Sequence, residues 1–296
     1  MILDLSDDAK EYGRQALRAF EAAGGDQLLQ QAEAKPDTRE ALVAPVLDGL
    51  GAWDLEPRND PDALEAAAAL CRSAGYWALP YPVAERLAGV LVVSHTAPQA
   101  PLAGLDNDWV AATVDGRRSR VTRRGAVGSA FTTALELTDD DGTADVALGL
   151  VLPCWTLLGM LDRALELTVA HVRVRKQFGQ TLSSFQGVQF QLTDAEVERS
   201  GVDILAKYTL WSVATSETET AINDALALRL AAIEAAEVVF RVCHQLHGAI
   251  GFCDETTLSW LSRYSQPLRR LPFGLSQTRD ILTHRLGRRG LIGLFS

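Results

Sequence analysis

A joint between two helical patterns, residues 175–186 (RKQFGQTLSSFQ), carries two cations followed by amide and hydroxyl side chains. Gly179 suits the C-terminal cap of the preceding helix, and basic residues in a last turn complement the helix dipole. Gln186, in the first turn of the next helix, places an amide donor near Arg175 and Lys176, as a phosphate site would require. Spacing alone leaves two interpretations open, a solvated turn or a binding site for an anion.

A second joint, QLHGAIGFCDE (residues 245–255), follows another helical pattern. Gly248 and Gly251 permit a sharp helix exit and a close approach of the backbone to a ligand. The segment is not a Rossmann loop, because that motif needs a preceding strand within a βαβ unit. Taken alone, this joint is more typical of a plain helix C-cap.

A third joint, LPFGLSQTRD (residues 271–280), places Ser276 and Gln277 at the start of a last helix. Backbone N–H groups at a helix N-terminus can hold an anion. The signal is weak by itself, and it gains meaning only beside the other two joints.

Together, in this order and on a helical frame, the three joints resemble the acyl-CoA dehydrogenase family. Residues 175–186 are similar to its R-K-Q-F-G-Q-x-L-x-x-F-Q signature, and residues 245–252 to Q-x-x-G-G-x-G-[FY], with Ala249 in place of the second glycine. Ser276 and Gln277 are similar to the end of the family's Y-E-G-T-S-Q stretch. The resemblance covers residues 150–290 well, and the N-terminal passage CRSAGYWALPYPVAERLAGVLV resembles short actinobacterial members.

The resemblance implies FAD as cofactor and the oxidation of an acyl-CoA thioester to the 2,3-enoyl-CoA. A glutamate takes the α-proton in that family, and the flavin N5 takes the β-hydride. The first two joints hold the adenine and pyrophosphate end of the FAD of a neighbouring subunit, so Arg175 is expected to pair with pyrophosphate. The cofactor-binding residues that the resemblance implies are Arg175, Gln177, Phe178, Gln186, Gln245, Gly248, Ala249, Gly251, Ser276 and Gln277.

The sequence departs from the family where the catalytic glutamate is expected, because Phe273 occupies that position and a phenyl ring cannot abstract a proton. Some members place the base near the start of the first helix of the C-terminal domain. Counting back from Arg175 puts that position at about Gly149, and residues 151–160 contain no acid. The nearest carboxylate, Asp145, is more typical of a turn. We therefore predict that this chain carries no catalytic residue.

Three hypotheses follow from these departures. In the first, the chain is the shortened, base-lacking subunit of an α2β2 acyl-CoA dehydrogenase, completing the FAD site of a full-length partner that acts on CoA thioesters such as those of steroid side chains. In the second, the chain is a self-sufficient dehydrogenase whose base has moved, with Asp254 and Glu255 as further candidates. In the third, it is a non-catalytic helical scaffold. The retention of Arg175, Gln186 and Gln245 together argues against the scaffold.

The elements that must position these joints are mainly α-helices. We predict an N-terminal helical domain over residues 1–98, a reduced middle β segment over 99–150 and a C-terminal antiparallel four-helix bundle over 151–296. The middle segment is too short for a complete barrel, and the family's flavin-ring strand and V-P-E-x-x-G-G loop are not found in the sequence.

Hydrophobic periodicity and turn residues locate the individual elements. Helices are predicted over residues 6–23, 38–50, 60–79, 83–93, 155–176, 184–211, 218–246 and 274–286. Strands are predicted in WVAATVDG, SRVTRRGAVGS and DVALGLVL.

Composition narrows the class of protein. The net charge of −10 argues against a nucleic-acid partner. The four scattered cysteines are typical of small buried hydrophobes in a reducing compartment, and the five histidines do not form a metal set. The N-terminus lacks the pattern of a signal peptide, and the apolar run at residues 146–161 contains a proline and is short for a membrane span. We expect a cytoplasmic protein with no membrane span.

Overall fold

The computed structural model describes residues 4–94, 99–101, 110–115, 117–120, 132–134 and 140–289. Helices dominate these ranges, and the short strands lie in the chain between two groups of helices. The prediction of a mainly α protein with a small middle β segment is therefore confirmed. The exact domain boundaries stay predictions.

The N-terminal helices are α1 (Asp7–Ala22), α2 (Asp26–Ala34), α3 (Arg39–Gly49), α4 (Pro61–Tyr76) and α5 (Val83–Ala88). The hydroxyl of Ser6 caps α1 by accepting a hydrogen bond from the N–H of Ala9 at 3.3 Å. The carboxylate of Asp60 caps α4 at the N–H of Asp62, and Pro61 takes the first helical position, where its missing N–H costs nothing. Both starts agree with the sequence prediction.

The strands between the two helical groups are β1 (Leu91–Val93), β2 (Gln99–Pro101), β3 (Val110–Thr113), β4 (Arg117–Arg120), β5 (Thr132–Ala134) and β6 (Asp140–Asp141). Four of them form one sheet in the order β1-β3-β4-β6, in which β1 is parallel to β3 and the other pairs are antiparallel. Leu91 lies opposite Ala111 in this sheet. Strands β2 and β5 pair separately. The strand predicted in WVAATVDG is confirmed as β3, whereas SRVTRRGAVGS lies largely outside the described residues.

The C-terminal helices are α6 (Thr143–Val174), α7 (Gln186–Thr215), α8 (Thr218–His247), α9 (Thr257–Arg270) and α10 (Leu275–Arg289). A small hairpin of β7 (Lys176–Gln177) and β8 (Gln180–Thr181) joins α6 to α7. Helix α10 runs antiparallel along α8, because Arg279 pairs with Glu234 at 2.7 Å and Arg285 pairs with Glu219 at 2.8 Å. Trp155 and Leu158 of α6 are fully buried at the centre of the core.

The prediction of a strand in DVALGLVL (residues 145–152) was wrong, because this segment forms the first turns of α6. Every residue in it is buried. A short, continuous apolar run reads the same in a buried strand and a buried helix, so periodicity could not separate the two. Helix α6 consequently begins at Thr143, inside the segment predicted as β.

The helix predicted over residues 83–93 is also shorter than expected. It ends at Ala88, because Gly89 takes a left-handed conformation with φ of 62°, and the β-branched residues after it form β1. Helices α2 and α9 were not predicted. Helix α9 is polar on average and contains Pro267. Both features weaken the sequence signal for a helix.

Helices α4 and α6 cross at van der Waals contact of their backbones. A Cβ atom on Gly75 would lie 1.8 Å from the carbonyl oxygen of Thr156, and one on Gly159 would lie 1.9 Å from the carbonyl oxygen of Arg72. The Arg72 side chain then bridges two acids beside the crossing, Asp162 of α6 at 2.6 Å and Asp203 of α7 at 2.7 Å. Two glycines thus set the distance between the N-terminal helices and the bundle.

Helix α6 is long and apolar enough to cross a membrane by length and composition. However, 78% of its most apolar window is buried inside the protein, as expected for the core helix of a globular fold.

Because α4 and α6 meet at backbone contact, one added methyl group at the crossing should strongly lower the stability of the protein. Gly159→Ala should lower the free energy of unfolding by at least about 3 kcal/mol, the upper part of the range for overpacking, because its Cβ would collide with backbone rather than with a movable side chain. Gly201→Ala in α7 is the matched control, since a Cβ there meets nothing within 4 Å. It should be neutral or stabilise by up to about 1 kcal/mol. Urea unfolding of both variants measures this, and equal midpoints would contradict the close crossing.

Candidate functional site

The first joint is a tight hairpin at the C-terminal end of α6. Lys176 pairs with Thr181 and Gln177 with Gln180, and the two residues at the tip, Phe178 and Gly179, have φ of 51° and 83°. Positive φ at both tip positions is the geometry of a type I′ turn, which matches the twist of a two-stranded ribbon. The helix cap predicted at Gly179 is therefore a hairpin tip, two residues beyond the hairpin's first strand.

The hairpin is held against the start of α7. The Phe178 ring is 91% exposed, yet it meets the Phe185 ring edge to face at a centroid distance of 6.2 Å. The backbone N–H of Leu182 donates to the carbonyl of Arg175 at 2.9 Å. Gln186, the first residue of α7, is exposed and directly follows Phe185 in the chain. The structure thus presents Arg175, Phe178 and Gln186 outward around a fixed turn.

Three cations at this end of α6 are exposed: Arg173, Arg175 and Lys176. Within the described part of the chain, none of them forms an ion pair with a carboxylate. Most other arginines in the same ranges do form such pairs, as Arg72 does with Asp162. In a protein with a net charge of −10, a local surplus of positive charge suits an anionic ligand.

The second joint leaves α8 through Gly248, whose φ of 65° and ψ of −148° are accessible essentially to glycine alone. A Cβ at this position would meet nothing within 4 Å, so the backbone faces open space. Gln245 and Ala249 are exposed, while Gly251 is buried. Ala249, the departure from the family signature, has a negative φ, so alanine fits the backbone there without strain.

Stacked histidines bring the first two joints together. The rings of His171 in α6 and His247 in α8 lie 4.4 Å apart with an interplanar angle of 19°. His247 Nδ1 also lies 2.9 Å from the carbonyl oxygen of Cys243. Because His171 is one turn before Arg175 and His247 directly precedes Gly248, the cationic hairpin and the glycine exit share one end of the bundle. Sequence analysis concluded only that the histidines do not form a metal set, and it missed this contact.

The third joint lies elsewhere. Arg279, three residues after Ser276, pairs with Glu234, which is about 20 Å from His247 along α8 at 1.5 Å per residue. Ser276 and Gln277 are exposed at the start of α10, roughly 15 Å from the other joints along the bundle at the same rise per residue. Only an extended ligand could contact all three joints.

The two positions where the family places its base have no room for one. The Phe273 side chain is 3% exposed, and the guanidinium of Arg229 lies 5.4 Å from its ring centroid. Arg229 donates to the carbonyls of Leu271 at 2.6 Å and Phe273 at 2.8 Å, and its burial lowers its pKa to about 10. At Gly149, a Cβ would lie 2.7 Å from Val92 Cγ2, so strand β1 fills the space of a side chain.

The other candidate bases either form ion pairs or lie exposed on the surface. Asp145 is buried in the first turn of α6 and pairs with Arg58 at 2.6 Å, so it is a helix residue rather than the turn residue expected. Asp254 pairs with Arg263 at 2.6 Å on the surface, and Glu255 is exposed. Cys253 beside them is exposed, which corrects the expectation that all four cysteines are buried.

A cleft of about 580 Å³ lies between the ends of β1 and β3 and the start of α10. Phe273 and Gln277 line it together with two carboxylates that sequence analysis did not single out, Asp115 and Asp280. Their positions in the sequence could not have revealed this pairing, because only the fold brings the end of β3 next to α10.

Comparison with known proteins fits this geometry. The family model of the acyl-CoA dehydrogenase C-terminal domain matches residues 150–279, the region that holds all three joints. Acyl-CoA dehydrogenase FadE28 of Mycobacterium tuberculosis (strain ATCC 25618 / H37Rv) is 34% identical over 129 residues, which cover 43% of this chain and 37% of that protein. Residues 150–279 are therefore similar to an acyl-CoA dehydrogenase C-terminal domain. The resemblance drawn from the three motifs is confirmed, although the match spans little more than a third of that relative's length.

Solved structures extend the likeness to the whole fold. The Tcur3481-Tcur3483 steroid ACAD, as its G363A variant, has a TM-score of 0.79 at 16% identity and covers 95% of this chain and 98% of its own. The ChsE4-ChsE5 complex from Mycobacterium tuberculosis has a TM-score of 0.77 at 15% identity and covers 98% of this chain and 100% of its own. The acyl-CoA dehydrogenase fold predicted for this chain is confirmed.

The stacked histidines predict a pH-dependent stability. The pKa of the His171 imidazole is lowered, first by burial and then by the nearby charges of His247 and Arg175. Burial also lowers the pKa of His247. A lowered folded-state pKa means that the unfolded chain binds protons more readily. The stability that the neutral rings contribute is therefore present above the ordinary histidine pKa near 6.5 and lost as the pH falls below it.

His171→Phe keeps the stacked ring and removes the charge, so it should lose less stability than wild type between pH 7.5 and pH 5.5. Urea midpoints at the two pH values measure the loss, with His284→Phe, an exposed histidine of α10, as the control. Equal losses in wild type and His171→Phe would show that the stacked pair does not carry this pH dependence.

Proposed function

We propose that this chain is a base-lacking subunit of an FAD-dependent acyl-CoA dehydrogenase and completes the FAD site of a full-length partner subunit. The observation that carries the proposal is the cationic end of α6: Arg173, Arg175 and Lys176, exposed and without a carboxylate partner among the described residues, beside the open backbone at Gly248. A pyrophosphate supplies the negative charge that this end lacks.

The residues fit the dinucleotide end of FAD. Arg175 holds pyrophosphate in this proposal, the exposed Phe178 ring offers a flat apolar face, and Gln177, Gln186 and Gln245 offer amide donors and acceptors. Gly248, Ala249 and Gly251 let the backbone approach, and Ser276 with Gln277 lies farther along the bundle for the extended part of the molecule. When bound, FAD supplies the acceptance of the hydride from the acyl β-carbon.

The same chain is poorly equipped to remove the α-proton. A general base needs to reach the proton that it abstracts, and Phe273 and the strand-packed Gly149 leave the family's two base positions without a carboxylate. The base and the flavin-ring pocket therefore belong to the partner in this proposal. The similarity in fold to the Tcur3481-Tcur3483 steroid ACAD and to the ChsE4-ChsE5 complex supports a heteromer, and a CoA thioester of a steroid side chain is the substrate we propose for it.

A row of apolar side chains on α7 supports an assembly with another subunit. Phe190, Val197, Ile204 and Trp211 are spaced seven residues apart and are 60%, 62%, 60% and 40% exposed. A seven-residue spacing keeps side chains on one face of a helix. Exposed apolar rows of this kind mark interaction surfaces, and we assign this one to the partner subunit. A cytoplasmic location remains part of the proposal.

A self-sufficient dehydrogenase is the second candidate, and one observation favours it. Asp115 and Asp280 line the cleft of about 580 Å³ together with Phe273 and Gln277. Either acid is a candidate for a relocated base in that case, ahead of Asp145, whose carboxylate is engaged by Arg58.

Co-expression with a full-length acyl-CoA dehydrogenase subunit separates the two candidates. The heteromer proposal predicts a stable complex with one FAD for each partner subunit and no FAD on this chain purified alone, measured by flavin absorbance per chain. Flavin bound to the isolated chain and bleached by an acyl-CoA would establish the self-sufficient enzyme instead.

Removing one positive charge tests the proposed contact with the FAD pyrophosphate. In the complex, Arg175→Gln should weaken FAD binding about 10- to 100-fold, the value of one charge-assisted hydrogen bond, without dissociating the subunits. Arg18→Gln, which removes another exposed charge, in α1, is the control and should leave FAD binding unchanged. Equal FAD affinity in both variants, measured by equilibrium dialysis, would contradict the assignment of Arg175.

A further inference from the structure

A partly open cavity of about 260 Å³ lies between the N-terminal helices and the bundle. None of the residues assigned to the cofactor lines it. Its apolar wall comes from α4, α5, α6 and α9 and the segments next to them, and includes Ala74, Leu79, Val83, Met160 and Leu268. Ala74 and Thr156 directly adjoin Gly75 and the backbone that it touches, so the close crossing of α4 and α6 fixes one side of the cavity.

One carboxyl group on this wall has no hydrogen-bond or ion-pair partner on another described residue. Within the described ranges, Glu85 of α5 forms no side-chain hydrogen bond or ion pair with another residue, and the protein around it raises its pKa by desolvation. The half-buried Glu85 residue lines the cavity beside Val83 and Ala84.

The remaining polar groups of the wall are mostly satisfied by one another. Glu33 pairs with Arg39 at 2.8 Å and also accepts from the Tyr264 hydroxyl. The Tyr81 hydroxyl donates to Glu40 at 3.0 Å. Arg39 Nε is buried without a partner among the described residues. A desolvated carboxyl that faces an apolar cavity lowers stability, and proteins retain such groups chiefly where function requires them.

We propose that this cavity binds a small, uncharged and mainly apolar molecule that carries one hydroxyl or keto oxygen, with the Glu85 carboxyl as the hydrogen-bond partner of that oxygen. A neutral carboxyl both donates and accepts, so it can bind either group. An engineered cavity of about 150 Å³ holds benzene, so a ring of cyclohexane size with one substituent fits the volume here. This proposal does not depend on the FAD site proposed at the end of α6.

Thermal unfolding of the purified full chain, without FAD or partner, measures binding of four probes of similar shape: cyclohexanol, cyclohexanone, methylcyclohexane and cyclohexylamine. Cyclohexanol and cyclohexanone should bind roughly three- to tenfold more tightly than methylcyclohexane, the effect of one hydrogen bond. Glu85→Leu should abolish that preference, whereas Glu21→Leu, which replaces an exposed glutamate of α1, should retain it. Because no flavin or partner is present, failure here leaves the dehydrogenase proposal untouched.

The pH dependence supplies a second readout. The raised pKa of Glu85 means that the folded protein holds this proton more tightly, so stability is greatest below the ordinary value of 4.5 and is lost as the pH rises through the folded pKa. Glu85→Gln should therefore be more stable than wild type at pH 8, by a margin that shrinks toward pH 4.5. Cyclohexanone needs the protonated carboxyl as donor, so its binding should weaken with rising pH in wild type and stay constant in Glu85→Gln.

Three results would overturn the proposal. The first is equal binding of methylcyclohexane and cyclohexanol to wild type. The second is a preference for the alcohol that survives in Glu85→Leu, or pH-independent ketone binding in wild type if that variant fails to fold. The third is preferential binding of cyclohexylamine, which would make Glu85 the counter-ion of a cation instead.

Discussion

The contact between the backbones of α4 and α6 is the constraint on which the rest of the structure depends. With Gly75 against Thr156 and Gly159 against Arg72, no side chain separates the helices at these points, so the N-terminal group and the bundle cannot shift apart without losing this backbone contact. Arg72 adds charged hydrogen bonds to Asp162 and Asp203 that tie α4 to α6 and α7. Removing one member of such a partly buried network would leave the others unpaired, which is costly.

Because α6 is anchored at its middle, its two ends have fixed and different surroundings. The N-terminal end packs against β1, and this contact is why position 149 accepts no side chain. The C-terminal end projects from the core and carries the hairpin with Arg175 and Phe178 into solvent. One helix therefore both excludes a base and presents the cationic turn. This combination fits a subunit that contributes to a cofactor site without performing the chemistry.

The sequence was most informative where a local rule decides the structure. Ser6 and Asp60 as helix caps follow from short-range chemistry that tertiary context did not alter. Residues 145–152 were assigned wrongly because full burial removes the periodicity that distinguishes strand from helix. The separation of Ser276 from Gly248 and the position of Glu85 could not be predicted, since both depend on how α10 and α5 pack and not on any neighbouring residue.

The two proposed sites differ in the free-energy cost of leaving a charged group unpaired. The cations at the end of α6 are exposed, so leaving them unpaired costs little in water. Their significance comes from their grouping in an acidic protein and from the open backbone at Gly248 beside them. Burial raises the pKa of the Glu85 carboxyl, so the charged form of this half-buried group carries a direct cost that a leucine in the same place would avoid. The physical case for selection is therefore stronger for this carboxyl than for the cations, whose assignment draws additional support from the family model that matches residues 150–279.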